Sequence, residues 1–195
     1  MRKSKNYIGE FKSSFLSCEK DAETIVKKLL VDSRPYSDEL KRLLIINNKD
    51  CIDDRTNPKY LETINSYSVG KMIEDGYLRM KPLIKMGENQ EVQSYICLSF
   101  DNFIPNGTNT YYRDHIVEID IICHIDKWDL GNFRLRPLKI AGYVDGILDG
   151  CRLAGIGKLN FVGCNEIVLS EELAGYCLMY SAVNADDDTT PEDDD

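Results

Sequence analysis

Between Glu19 and Asp32 the apolar residues Ala22, Ile25, Val26, Leu29 and Leu30 recur at three- and four-residue intervals, the spacing that lines one face of a helix. Ser33-Arg-Pro-Tyr interrupts the pattern. Leu40, Leu43, Leu44 and Ile45 then mark a second short helix, with Ser37 or Asp38 near its N-cap. The Asn- and Asp-rich stretch from Asn47 to Pro58 reads as a loop. Residues 59–75 pull both ways: Leu61, Ile64, Val69, Met72 and Ile73 suit a helix, while Gly70 and the β-branched and aromatic residues oppose one.

After Gly76 the period shortens. Tyr77 to Met86 and Glu91 to Phe100 read as strands joined by a hairpin turn at Gly87-Glu-Asn, with Pro82 marking the first as an edge or interrupted strand. Asn102 to Thr110 carries Pro105, Asn106 and Gly107 and is expected to be an exposed connection. Tyr112 to Ile125 is the clearest strand: Val117, Ile119, Ile121 and Cys123 alternate with Glu118, Asp120, Ile122 and His124. A loop through Trp128, Gly131 and Asn132 leads to a helix from about Leu135 to Asp149, striped by Ile140, Val144, Ile147, Leu148 and Cys151. Pro137 suits its first turn and Gly150 its C-terminal cap. Leu159 to Cys164 and Leu173 to Val183 complete the strands.

Runs of adjacent strands divided by one long helix define an α+β fold, a mainly antiparallel sheet with the helix packed on one face, plus N-terminal helices. Three divisions follow: an N-terminal helical segment at 1–76, an α+β core at 77–184 and an acidic, disordered tail at 185–195. No internal repeat is present. A chain of 195 residues with 43% hydrophobic and 29% charged residues has the composition of a globular protein. Of its net charge of −9, the seven acids between Asp186 and Asp195 supply −7 and leave the body at −2. Such a body lacks the basic balance of a phosphate-backbone binder.

The seven cysteines include no Cys-x-x-Cys pair, and His115 and His124 are the only histidines, so a zinc site is not indicated. Reduced, mostly buried thiols are expected instead. No run of ~18 apolar residues occurs, which points away from membrane spanning, and no apolar stretch of secretory length follows the basic N-terminus. Gly155-Ile-Gly157-Lys158 fails as a phosphate loop, because the motif needs a glycine where Arg152 stands and a Ser or Thr where Leu159 stands. It reads as a turn.

Glu118 and Asp120 share a strand face, and Asp126 and Asp129 follow in the next loop, so a carboxylate cluster holding Mg²⁺ for a nuclease is one reading. A charged outer strand face is the other. A Cys–His pair, His115 or His124 with Cys97, is weighed against inert buried thiols. Trp128, Phe133, Arg134 and Arg136 group beside the long helix. Aromatic and arginine side chains are the usual anchors of protein interfaces, and these four are the candidate oligomer or partner contacts, with a lid over the core as the plainer reading of Trp128.

Arg113-Asp-His-Ile-Val-Glu-Ile-Asp-Ile-Ile-Cys, Trp128, Arg136-Pro-Leu-Lys-Ile with the helix to Gly150, Gly155-Ile-Gly, and Gly175-Tyr-Cys-Leu-Met-Tyr resemble, in order and texture, the tail terminator (tail completion) proteins of long-tailed bacteriophages. The resemblance covers residues 77–184 and implies a non-enzymatic virion protein of the neck, assembled in the host cytoplasm. It implies a ring, commonly a hexamer, that caps the tail tube, halts its growth and meets a head-side connector or stopper protein. DNA would pass through the lumen without specific binding, and neither cofactor nor metal is implied. The alternatives are a connector or stopper role and, in a different class, the metal-dependent nuclease using Glu118 and Asp120.

Overall fold

In a computed structural model, residues 14–80, 92–105 and 113–184 are described. The Gly87 turn, most of the 102–110 connection and the acidic tail lie outside them. The first amphipathic stripe forms α1, Ser14–Lys27, and widens into a π-helical turn at Lys28–Asp32, with Ala22, Ile25, Val26, Leu29 and Leu30 all buried. The second forms α2, Tyr36–Ile45. The ambiguous stretch resolves into two helices. Asn57 caps α3, Pro58–Ser66, by accepting from the Lys59 amide, and Ser68 caps α4, Val69–Glu74, by accepting from the Lys71 amide. Gly70 falls in the first turn of α4, and Tyr67–Ser68 is the break.

Among the described residues seven strands follow: β1 Leu78–Arg79, β2 Ser94–Pro105, β3 Arg113–His124, β4 Arg152–Leu153, β5 Gly157–Lys158, β6 Asn160–Val168 and β7 Leu173–Asn184. Between β3 and β4 lie a 3-10 turn at Ile125–Lys127 and α5, Arg136–Leu148. The main sheet runs β1-β2-β3-β7-β6, antiparallel except that β1 is parallel to β2. An α+β fold with N-terminal helices is therefore correct. Three details of the strand reading change: the two segments expected to form a hairpin run parallel where they pair, Leu78 beside Ile96. Within the expected strand at 77–86, only Leu78–Arg79 pairs among the described residues. β2 continues to Pro105, where a connection was expected, past a register shift between Asp101 and Ile104 with Asn102 at φ 58°. Aromatic contacts favour the extension: the His115 ring on β3 stacks on Phe103 at 5.3 Å and meets Phe100 at 5.6 Å.

One face of the sheet is apolar, with Ile96 and Leu98 of β2, Val117, Ile119 and Ile121 of β3, and Leu178 and Tyr180 of β7 all buried. They share a single core with Leu29, Leu40 and Leu44 from the N-terminal helices and with Ile140, Val144 and Leu148 of α5. Helices from residues 14–76 are thus built into the same core as the sheet. Polar tethers hold α5 over it: the Tyr180 hydroxyl donates to Asp145, and Asp149 accepts from the Phe161 amide of β6. The 155–157 segment is the expected turn, with Gly155 at φ 79° and Gly157 at φ 85°.

Candidate interface: a two-loop platform

After β3, the Trp128 indole N–H donates to the Cys123 carbonyl at 3.1 Å and the ring packs half-buried against the core. Trp128 therefore occupies the lid position. Its own carbonyl accepts from the Arg136 amide at 2.7 Å, which pinches off the loop 129–135 between them. Inside that neck Leu130 is buried, its amide donates to the Arg134 carbonyl, and Asp129 bridges to Leu135. The tip is unusual: Gly131, Asn132 and Phe133 have φ values of 75°, 51° and 61°. Two of these are side-chain-bearing residues in the left-handed region, a conformation that costs on the order of 1–2 kcal/mol per residue.

That conformation presents Phe133 at 107% relative exposure, a whole phenyl ring in solvent at the apex of the loop. Hydrogen bonds hold the apex. The Asp129 carboxylate accepts from the Gly131 amide at 2.7 Å, and Arg134 Nε donates to the Gly131 carbonyl at 3.1 Å. Arg134 then forks onto Asp53 of the 46–57 loop, Nη1 to Oδ1 at 2.6 Å and Nη2 to Oδ2 at 2.7 Å. Lys49 of the same loop donates to Asp129 at 2.8 Å. Arg134 beside Asp53 lowers that carboxyl below its ordinary value, and Lys49, followed by the Gly131 amide, does the same for Asp129.

Beneath the platform two arginines are buried with no carboxylate partner among the described residues. Arg136, fully buried, donates through Nε to the Lys127 carbonyl at 2.9 Å and through Nη1 to Leu43 and Ile46 at 2.6 and 2.8 Å. Its Nη2 donates to Asn48 at 3.0 Å. These acceptors include carbonyls at the end of α2, where the helix dipole is negative. Arg42 reaches the Cys51, Asp54 and Arg55 carbonyls at 3.3–3.5 Å. The 46–57 loop is therefore wound around two guanidinium groups, one of which also fixes the start of α5.

Of the four candidate contacts, the structure exposes Phe133 alone completely. Arg134 clamps the loop and is half-buried. Arg136 is a correction: with no exposed surface it cannot touch a partner of the folded chain, because α2 and the loop enclose its guanidinium. Lys49, Asp53 and Asp129 escaped sequence reasoning as parts of this site. They lie about 80 residues from their partners or in an Asp-rich loop with no periodicity, so no local signal joins them.

The other candidates do not assemble. Glu118 and Asp120 share a sheet face, and burial raises both carboxyls above their ordinary values. Asp126 faces His124 at 3.6 Å, and Asp129 is held by Lys49. No group of three or more His, Cys, Asp or Glu side chains among the described residues is arranged to hold a metal ion. His115 lies on the core-facing side of β3, with no hydrogen-bond partner at either ring nitrogen, whereas Cys97 opposes Asp120 on the other face. His124 Nδ1 accepts from the Asp126 amide. Cys51, Cys97 and Cys123 are buried, Cys18, Cys151 and Cys177 half-buried, and Cys164 exposed. Burial pushes the thiols of Cys51 and Cys177 up, and that of Cys123 up to about 11, which disfavours thiolates. No described helix is long and apolar enough to cross a membrane.

The fold and platform define an α+β protein whose most elaborated surface is a rigid loop offering an aromatic side chain. The chain belongs to the YomW family, a phage-derived family whose model matches residues 37–182. Among solved structures it is similar to a chain of the virion of a native gene transfer agent particle, with 15% identity and a TM-score of 0.40. That match covers 63% of this chain and 89% of the other. No curated protein matches the chain.

Proposed function

We propose that the protein is a structural component of a phage-type virion, and within it a tail terminator: a ring that caps the tail tube and joins it to the head-side connector. The observation that carries the reading is Phe133, held fully exposed in a left-handed backbone by the Arg134–Asp53 and Lys49–Asp129 pairs. A chain gains nothing internally from holding a phenyl ring in water against backbone preference. A docking partner does, since aromatic side chains on preorganised loops are typical interface anchors. The texture of residues 77–184 and membership of a phage-derived family support the virion setting. The near-neutral body suits a lumen through which DNA passes without being gripped.

The test is electron microscopy of lysates from a phage whose copy of the gene carries a stop codon. Filled heads beside overlong or ragged tail tubes are expected. Tails of normal length lying unattached beside heads would assign a connector or stopper role instead, and intact particles would overturn the virion reading.

A further inference from the structure

Near the start of β3 a histidine is packed in the manner of a phenylalanine. His115 is 1% exposed on the core-facing side of the strand, and neither ring nitrogen has a hydrogen-bond partner among the described residues. Its neighbours are apolar. Phe103 stacks on the imidazole with ring centroids 5.3 Å apart and an interplanar angle of 13°, Phe100 meets it at 5.6 Å and 54°, and Ala182 of β7 stands opposite. A phenyl ring would fill such a site at no polar cost, whereas a buried imidazole forgoes both a donor and an acceptor. What histidine adds over phenylalanine is proton uptake near neutral pH. Burial lowers its pKa, and Asp114, its neighbour on β3, opposes that shift as the one charge among the described residues that acts on the ring. The closed site therefore excludes the proton.

The wall that shuts the site is the part of β2 with the fewest ties. β1 pairs with β2 only at Ile96 and Cys97, so the outer edge of β2 beyond them has no strand beside it among the described residues. The β2–β3 register then slips between Asp101 and Ile104, with Asn102 in the left-handed region at φ 58°. Past the slip Ile104 and Pro105 pair with Asp114 and Arg113 of β3, and Ile104 is half exposed. A bulge uncouples a strand end from the ladder behind it, and such ends open at a fraction of the cost of global unfolding. We propose that His115 is a proton-operated switch: its protonation swings residues 102–105 away at the Asp101–Asn102 bulge, uncovers the imidazolium and bares the edge of β3 while the rest of the sheet stays closed. The device is built from this chain alone and is independent of the virion and terminator readings.

Amide hydrogen exchange on the full chain, read by NMR, tests the switch. Opening linked to one histidine should grow up to about tenfold between pH 7.5 and 5.5, because the open state titrates at the ordinary histidine value of about 6.5 and the closed state below it. The β2–β3 ladder amides past the bulge, within 103–104 and 113–116, should show that rise after correction for the intrinsic pH dependence of exchange. Those of Ile119 and Ile121 at the centre of β3 should not. In His115→Phe the rise should vanish. Phe103→Ala removes the stacked wall, so the ring Cε1–H resonance of His115 should titrate at higher pH than in the natural chain, a readout that holds whether or not His115→Phe folds. A rise below about twofold past the bulge, no protection there at pH 7.5, or the same rise in His115→Phe overturns the switch. So does an equal rise at Ile119 and Ile121, which would mean global opening, or an unchanged His115 titration in Phe103→Ala.

Discussion

Replacing Arg136 by methionine should be the most damaging single change at the platform, although it leaves the protein surface untouched. Methionine keeps most of the stem volume, so the cavity is small and the loss is polar. Four carbonyls, those of Lys127, Leu43, Ile46 and Asn48, lose a charged donor at 2.6–3.0 Å. A buried acceptor left without its partner costs ~1–3 kcal/mol. The sum is reduced because removing the guanidinium also removes its own desolvation cost, which amounts to several kcal/mol for a buried ion. A net destabilisation of roughly 3–5 kcal/mol follows, a large share of the ~5–15 kcal/mol that holds a typical domain. Urea unfolding followed by circular dichroism reads it directly. With a slope of ~2 kcal/mol/M the midpoint should fall by about 1.5–2.5 M. Amide exchange in residues 46–57 should accelerate ahead of the sheet. Arg136→Lys should recover less than half of the loss, since one ammonium cannot span carbonyls on the 3-10 turn, α2 and the loop together. A midpoint for Arg136→Met within about 0.5 M of the natural chain would refute the reasoning.

Phe133→Gly should leave thermal stability unchanged or slightly raised, because glycine accepts φ 61° without strain, while the same variant fails to assemble. Gly175→Ala should prevent folding to a soluble product, since a Cβ there would overlap the Ile121 carbonyl oxygen on β3, and expression with solubility analysis checks it. Burial lowers the His115 pKa, so the unfolded chain binds its proton more readily. Stability should hold above the ordinary histidine value and decline as pH falls through the depressed one, a component that urea titrations of His115→Phe should lack. Asp120 shows the opposite sign. Burial raises its pKa, so its charged form costs stability as pH rises through the folded value. Asp120→Asn should match or exceed the natural melting temperature at neutral pH and lose that advantage below the carboxylate range.

The elements with strong periodicity were legible. The alternation through Val117, Ile119 and Ile121 and the stripe through Ile140, Val144 and Leu148 fix one strand and one helix, each within a residue or two of its bounds. Weakly patterned segments needed tertiary information. Residues 59–75 hide a second cap at Ser68 that propensity alone does not reveal, and the extension of β2 past Asp101 depends on ring contacts with His115 across the sheet. The site was half legible. A Gly131-Asn132 turn followed by an aromatic residue is a visible signal, but whether Phe133 turns outward is decided by Arg134 reaching Asp53 from 81 residues away. Arg136 could not be placed from sequence at all. An arginine just before a helix-starting proline has the appearance of a surface residue, and only the arrival of the end of α2 above it converts it into a buried strut.

Apart from the Cys51 thiol, which also meets Arg136, the acceptors that Arg136 and Arg42 engage among the described residues are main-chain oxygens. Such a latch reads the path of the chain and is indifferent to the side chains along it. Residues 43, 46, 48, 54, 55 and 127 can change identity without releasing either guanidinium, as long as the backbone still passes the same points. The loops around Phe133 are consequently free to acquire new charges and shapes toward the outside while their scaffold stays fixed, a division that lets one fold be refitted to different neighbours.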